Sequence, residues 1–305
     1  MGQDITIENK ANKSDIVSLF LTSDPRHQRS LAYYDYSNVS SFGESTYSIA
    51  KNSTGEVVGH YAILPLKFKY LNKEYNVGYA QQAITHKDYR SLDLISKLHN
   101  HAINNVKDDL DLIFAFSNDS FAQIKKSLFG WNDLGAFSSS VIDLKLVDFK
   151  INHDIEELVR FNHDFSPDEN KFSLIKSCDY LNHRFLEHPI NFYKTFIVRD
   201  FDKIIGYISL KLYQDNGKTI GHFVDFESKD INIMKSLIAK AKEFFLFYGV
   251  KKVVFWNMSC YQELFDTLIV GEGFTSNFLV YDLTGNKNIL DRKEWSLSLA
   301  LSDAF

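Results

Sequence analysis

Ala83-Ile84-Thr85-His86-Lys87-Asp88-Tyr89-Arg90-Ser91-Leu92-Asp93-Leu94-Ile95-Ser96-Lys97-Leu98 is the stretch that decides the fold. It reads as the end of a strand, a short polar loop and the first turns of a helix. Leu92, Leu94, Ile95, Leu98, Ala102 and Val106 recur at helical spacing, which predicts a helix over Ser91 to Val106. Upstream, Tyr75 to Ile84 is the second arm of a hairpin turned at Asn72-Lys73. Downstream, Leu112-Ile113-Phe114-Ala115-Phe116 is a short apolar run between polar flanks, the mark of a strand buried on both faces. A loop feeding a helix leaves backbone N–H groups free, and those donors with the helix dipole suit an anion. Arg90 at the mouth adds a charge-assisted contact to phosphate.

The same order returns in the second half. Val57-Val58-Gly59-His60 has a counterpart in Ile204-Ile205-Gly206-Tyr207, and Gly130-Trp131 in Gly273-Phe274. From Ile84 to Phe116 is 32 positions, and from Val224 to Phe255 is 31. One supersecondary unit used twice explains this. Helices are also expected at Ser14 to Leu21, Glu156 to Phe161 and Leu174 to Phe185, and a closing strand at Val141 to Leu144. Hairpins precede each strand–helix–strand run, so the expected class is α/β of the α+β kind. Two domains, 1–148 and 149–305, each hold a mixed central sheet flanked by helices.

The Tyr89-Arg90 loop with Ser96-Lys97-Leu98 resembles motif A of the GCN5-related N-acetyltransferase superfamily. The hairpin Gly55 to Leu64 is similar to the strands that precede that motif. Phe116-Ser117-Asn118 through Gly130-Trp131 is similar to the family's fifth strand, fourth helix and closing Gly-Phe/Trp pair. The second half resembles a degenerate copy. Its Tyr180 to Phe185, His188-Pro189, Val224-Asp225-Phe226 and Trp295 with Ser302-Asp303 resemble tandem acetyltransferase-like proteins of bacterial surface-polysaccharide biosynthesis. The resemblance implies acetyl-CoA, or another acyl-CoA, as cofactor. It implies a small amine as acceptor, such as a (nucleotide-linked) amino sugar.

By that resemblance the cofactor residues are Ile84, Thr85, Arg90, Ser91, Leu92, Asp93, Leu94, Ile95 and Asn118. Ile84 and Thr85 act through main-chain groups. Asn118 either meets the cofactor or caps a helix. Asp93 stands where the family has glycine, and Ile95 where it has a small residue. Lys126 stands where the family often has a Tyr that protonates the leaving thiolate; a lysine there is either that acid or a solvated helix residue. For a base, His60 titrates near neutrality, and Asp225 lies inside an apolar strand, where a carboxylate must be paired or line a cleft. Gln82 could orient a substrate, and His86 lies in the loop. The second-half loop Phe226-Glu227-Ser228-Lys229-Asp230 has no Arg-x-x-Gly, so that copy is not expected to bind CoA.

Composition narrows the classes further. Of 305 residues, 45% are hydrophobic and 24% charged, and the net charge is −5. This is ordinary for a globular protein, and neither half is a basic nucleic-acid module. The two cysteines, Cys178 and Cys260, make no disulfide framework and no zinc pattern. No metal is expected. No apolar run is long enough to span a bilayer, and no signal peptide is expected; Gly2 with Thr6 fits a myristoylation pattern only loosely. A cytoplasmic location is expected. Two functions remain: an acyl-CoA-dependent N-acyltransferase, or a non-catalytic relative with a degenerate CoA loop. An aminoacyl-tRNA-dependent transferase is a weaker third, lacking a basic surface.

Overall fold

The computed structural model describes residues 4–23, 30–165, 170–215, 217–228, 230–257, 261–285 and 287–302. Gly2, Lys229, Cys260 and Asp303 lie outside them. In chain order the main elements are β1 (Thr6–Glu8), α1 (Lys13–Ser23), α2 (Leu31–Ser37), β2 (Thr46–Lys51), β3 (Val57–Tyr70), β4 (Lys73–Thr85), α3 (Leu92–Asn104), β5 (Leu112–Ser117) and α4 (Asp119–Phe129). They continue with β6 (Asn132–Asp143), α5 (Cys178–Leu186), β7 (Tyr193–Asp200), β8 (Lys203–Asp215), β9 (Lys218–Ser228), α6 (Ile231–Phe247), β10 (Lys252–Phe255), α7 (Gln262–Asp266) and β11 (Ile269–Asp282).

Two compact units share the chain. The first comprises Met1–Phe68, Lys73–Gly135 and Asn277–Asp291. The second comprises Lys69–Asn72, Ala136–Ser276 and Arg292–Phe305. The sequence alone places a single boundary at 148; the units instead divide at Gly135, and Asn277–Asp291 belongs to the first. A strand explains the difference. The far edge of β5 needs a partner, and the end of β11 supplies it, Asn277 opposite Ser117 through Asp282 opposite Leu112. β6 pairs with β10 in the second unit, Asp143 opposite Lys252.

In the first unit the sheet runs β1-β2-β3-β4-β5-β11. The turn between β3 and β4 has Leu71 and Asn72 at φ 46° and 64°, a left-handed pair that matches the twist of a hairpin. Leu94, Leu98 and Ala102 of α3 pack with Ala122 and Phe129 of α4 against one face of the sheet. Ile16, Leu19 and Phe20 of α1 pack with Tyr34 of α2 in a separate cluster. α3 lies close because β3 carries Gly59, where a Cβ would meet Leu98 Cδ1 at 2.8 Å.

The second unit repeats the plan. Its sheet runs β6-β10-β9-β8-β7, with α6 over a core that includes Leu210, Phe223, Leu237, Phe245 and Phe255. Gly206 repeats the close approach, its Cβ position lying 2.7 Å from Ile233 Cγ2 of α6. The helix expected at Glu156 to Phe161 is absent: Glu156–Glu157 is a short strand paired to β7. The helix expected from Leu174 begins at Cys178, because Phe172–Leu174 forms a strand parallel to Trp295–Ser296.

Candidate functional site

The decisive geometry of the first unit is how β4 and β5 part. They are parallel and in register over Val77–Leu112, Gly78–Ile113 and Tyr79–Phe114, and the ladder stops there. Ala80 to Thr85 on one strand and Ala115 to Ser117 on the other therefore border an opening between strands. Gln82, within this stretch, has φ 55°. A non-glycine residue in the left-handed region costs about 1 kcal/mol or more and persists only where its surroundings fix it. Here they do. The Gln82 amide donates to Ser37 Oγ at 2.9 Å and accepts from Asn38 Nδ2 at 3.1 Å. His60 Nδ1 donates to the Gln82 carbonyl at 2.9 Å.

That bond defines the role of His60. A carbonyl only accepts, so Nδ1 carries the proton and Nε2 meets the Tyr34 hydroxyl at 3.1 Å. The ring is fully buried among Phe20, Tyr34 and Tyr47. One nitrogen holds the Gln82 carbonyl and the other meets Tyr34, which removes His60 from the position of an exposed base.

At the open end, the loop after Thr85 forms a 3-10 turn, Lys87–Tyr89, and Ser91 caps α3, its Oγ accepting from Leu94 N at 3.1 Å. That cap leaves the Leu92 and Asp93 N–H groups of the first turn. Arg90 Nη2 reaches back to the Thr85 carbonyl at 3.5 Å. Thr85 is buried, Ile84 half-buried against the α1 cluster, Leu92 exposed, Leu94 in the core and Ile95 packed on it. Asp93 projects outward, 73% exposed, and pairs with Lys97 at 2.8 Å. The i,i+4 pairing offsets the charge that would otherwise oppose an anion here. Asn118 caps α4, accepting from Phe121 N at 2.9 Å.

The expected acids and bases do not converge. Lys126 is about half exposed and paired with Asp133 at 2.9 Å; that hydrogen bond holds the Asp133 carboxyl below its usual range. This is a solvated helix residue rather than a donor aimed into the opening. Asp225 belongs to the second unit. It is 1% exposed, accepts from Lys176 Nζ at 2.9 Å and from the Tyr207 hydroxyl at 2.6 Å. Lys176 also meets Glu227 at 3.2 Å. Burial works against the Lys176 ammonium, but Asp225 and then Glu227 outweigh it and raise its pKa. The result is a saturated buried network.

Sequence reasoning passed over the neighbour of Lys126. Lys125 is 2% exposed, and burial lowers its pKa to about 7. Its ammonium lies 4.3 Å from the Trp131 ring centroid, 4.9 Å from Phe121 and 6.0 Å from Tyr61. The signal was available: Ala122, Lys125 and Phe129 fall on one helical face, the face that enters the core.

No protein-family model matches the sequence, and no curated protein matches it. Solved structures do. A GCN5-related N-acetyltransferase from Anabaena variabilis matches with a TM-score of 0.70 at 11% identity, over 92% of this chain and 73% of that one. A conserved protein of unknown function from Enterococcus faecalis, described as a probable N-acyltransferase, matches with a TM-score of 0.68 at 9% identity, over 93% and 73%. Saccharomyces cerevisiae N-myristoyltransferase with bound myristoyl-CoA matches with a TM-score of 0.61 at 13% identity, over 92% and 80%. Among the described residues no helix is long and apolar enough to cross a membrane. The chain has the fold of the GCN5-related N-acetyltransferases.

Proposed function

We propose that the chain is an acyl-CoA-dependent N-acyltransferase whose first unit holds the cofactor. The observation that carries this reading is the parting of β4 and β5 beyond Tyr79 and Phe114, with the start of α3 at its open end. An acyl-CoA supplies an activated thioester. The Leu92 and Asp93 N–H groups and Arg90 would take its phosphates, with Ser91, Leu94 and Ile95 fixing the helix start. Main-chain groups of Ile84 and Thr85, freed from the β5 ladder, would bond its amide arm. Asn118 stands across the opening on the α4 side. A backbone N–H of β4 near Gln82, whose left-handed conformation His60 helps hold, would stabilise the oxyanion. The acceptor is a small amine, and the resemblance favours an amino sugar. The neighbour with bound myristoyl-CoA supports the cofactor class.

One observation favours a second reading, a non-catalytic acyl-CoA-binding protein. His60 and Lys126 are both committed to other partners, so neither is placed to move a proton. Thermal unfolding with acetyl-CoA separates the cofactor claim from its absence, since a ligand of the native state raises Tm. A rise is expected. No rise at millimolar acetyl-CoA or longer acyl-CoAs would sink both readings. A rise without acetyl transfer to a panel of amino sugars and amines would select the second.

A further inference from the structure

One end of the second unit sets exposed aromatic side chains among lysines. β7 runs antiparallel to β8, β8 antiparallel to β9, and β9 parallel to β10. β7, β9 and β10 therefore run in one direction and start at one end of their sheet. α6 leaves the far end of β9 and returns to the start of β10, so its last turn lies at that end too. There Leu246, Phe247 and Tyr248 are exposed in succession, Phe247 at 83%. The segment 144–153 runs antiparallel along α6: Asn152 N donates to Ser236 Oγ at 3.2 Å, Lys242 Nζ to the Val147 carbonyl at 2.6 Å and Leu144 N to the Lys251 carbonyl at 2.9 Å. That path sets Leu146, also exposed, beside the last turn of α6. The loop before β7 adds Ile190 and Phe192, the latter 94% exposed.

The fold does not require these side chains. Phe245 alone carries the last turn of α6 into the core. Several large apolar groups exposed at one place mark an interaction surface rather than one that meets only water. Their charge setting says what covers them. The stretch Lys240 to Lys252 holds four lysines against one carboxylate, Glu243, in a chain of net charge −5. Asp143, Asp148 and Asp215 also lie at this end, but Lys145, Lys150 and Lys218 offset them, so the excess of positive charge remains. The corresponding corner of the first unit, after α3, reads Asn104-Asn105-Val106-Lys107-Asp108-Asp109. Val106 is buried there and the rest is polar and acidic. The same corner thus closes without an exposed aromatic or an excess of lysine.

We propose that this end of the second unit docks on an anionic lipid surface. Phe247, Tyr248 and Phe192 enter the headgroup region, and Lys145, Lys251 and Lys252, all exposed, meet the anionic headgroups. The aromatic tips project from a helix end and a strand start, a form suited to insertion rather than to gripping a peptide. A second copy fits worse, because a two-fold contact through this face would set its lysines against one another. The proposal is independent of the acyl-CoA reading.

Co-sedimentation of the full chain with phosphatidylcholine vesicles, with and without phosphatidylglycerol, tests this. Binding to the mixed vesicles is expected to be at least about tenfold tighter than to phosphatidylcholine alone, and to be largely lost in high salt. Phe247→Ser should weaken it about tenfold, and Lys251→Glu with Lys252→Glu more than about tenfold. Phe201 is equally exposed but stands at the opposite end of the sheet, between Asp200 and Asp202, so Phe201→Ser should leave binding unchanged. These side chains lie on the surface, and an unchanged Tm confirms that each variant is folded. No binding to the mixed vesicles, binding that survives either change, or an equal loss with Phe201→Ser would overturn the proposal. So would a dimer, in place of vesicle binding, that Phe247→Ser disperses in sedimentation equilibrium, since it would give this face to a second copy.

Discussion

The two units carry the same strand–helix–strand crossover and treat it oppositely. In the first, α3 begins at a neutral cap, Ser91, and the acidic residue of its first turn is turned outward to Lys97. In the second, α6 begins at Asp230, whose carboxylate accepts from Asn232 N at 2.6 Å. Ser228, just before it, exchanges hydrogen bonds with Asp230, and its carbonyl accepts from the Tyr261 hydroxyl. The parallel strands part in both: β9 and β10 pair only at Gly221–Val253 and His222–Val254. The buried charges differ in the same sense. Lys176 is saturated by Asp225 and Glu227, whereas Lys125 has rings alone. A shared scaffold thus places an anion-friendly helix start in one unit and a self-neutralised one in the other. What distinguishes the proposed ligand site from its counterpart in the second unit is the set of donors left unspent.

Four changes would break or sharpen this contrast. The largest effect is expected in the second unit. Asp225→Ala leaves the buried Lys176 with Glu227 alone and takes the acceptor from the buried Tyr207 hydroxyl, and should cost about 3–5 kcal/mol of stability in urea denaturation. A loss below about 1 kcal/mol would mean the network is not structural. Next is Lys125→Met in the first unit, expected to stabilise the protein without ligand by about 2–3 kcal/mol at pH 6. The folded pKa of Lys125 lies near 7 against an ordinary 10.5. Between those values the unfolded chain holds a proton that the folded chain has released, so the unaltered protein gains stability as pH rises. The advantage of Lys125→Met should therefore fade from pH 7 toward pH 10.5, and a pH-independent difference would show that the burial is not felt as charge.

The third change is Arg90→Glu, which should weaken CoA binding by more than about tenfold while moving Tm little, because Arg90 is exposed. The smallest is Asp93→Asn. With Lys97 already beside it, removal of the charge should tighten CoA binding about twofold at low salt and not at all in 0.5 M salt. A weakened complex would mean that the Asp93 carboxylate contributes to the site rather than opposing it.

Much of the architecture was legible in the sequence because it is written in periodicity. The helical stripe from Leu92 to Ala102 and the apolar run Leu112 to Phe116 each specify their element locally. The boundary at 148 was not legible in the same way. Which strand completes the edge of β5 depends on pairing between Leu112–Ser117 and Asn277–Asp282, far apart in sequence, and alternation patterns carry no partner label. The site divides similarly. The loop and the place of Arg90 at its mouth follow from residue type and spacing. The roles of His60 and Lys126 do not, since each turns on which atoms lie nearby: the Gln82 carbonyl for one, Asp133 for the other. Lys125 and Lys126 are adjacent, and only the helical face separates a buried cation from a solvated one.

The central claim is that one unit, and only one, retains a CoA site. Isothermal titration of the full chain with CoA, alongside Arg90→Glu, measures this directly. One ligand is expected to bind per chain, with binding abolished or weakened more than about tenfold in the variant. A stoichiometry of two, or an undiminished complex with Arg90→Glu, would contradict it.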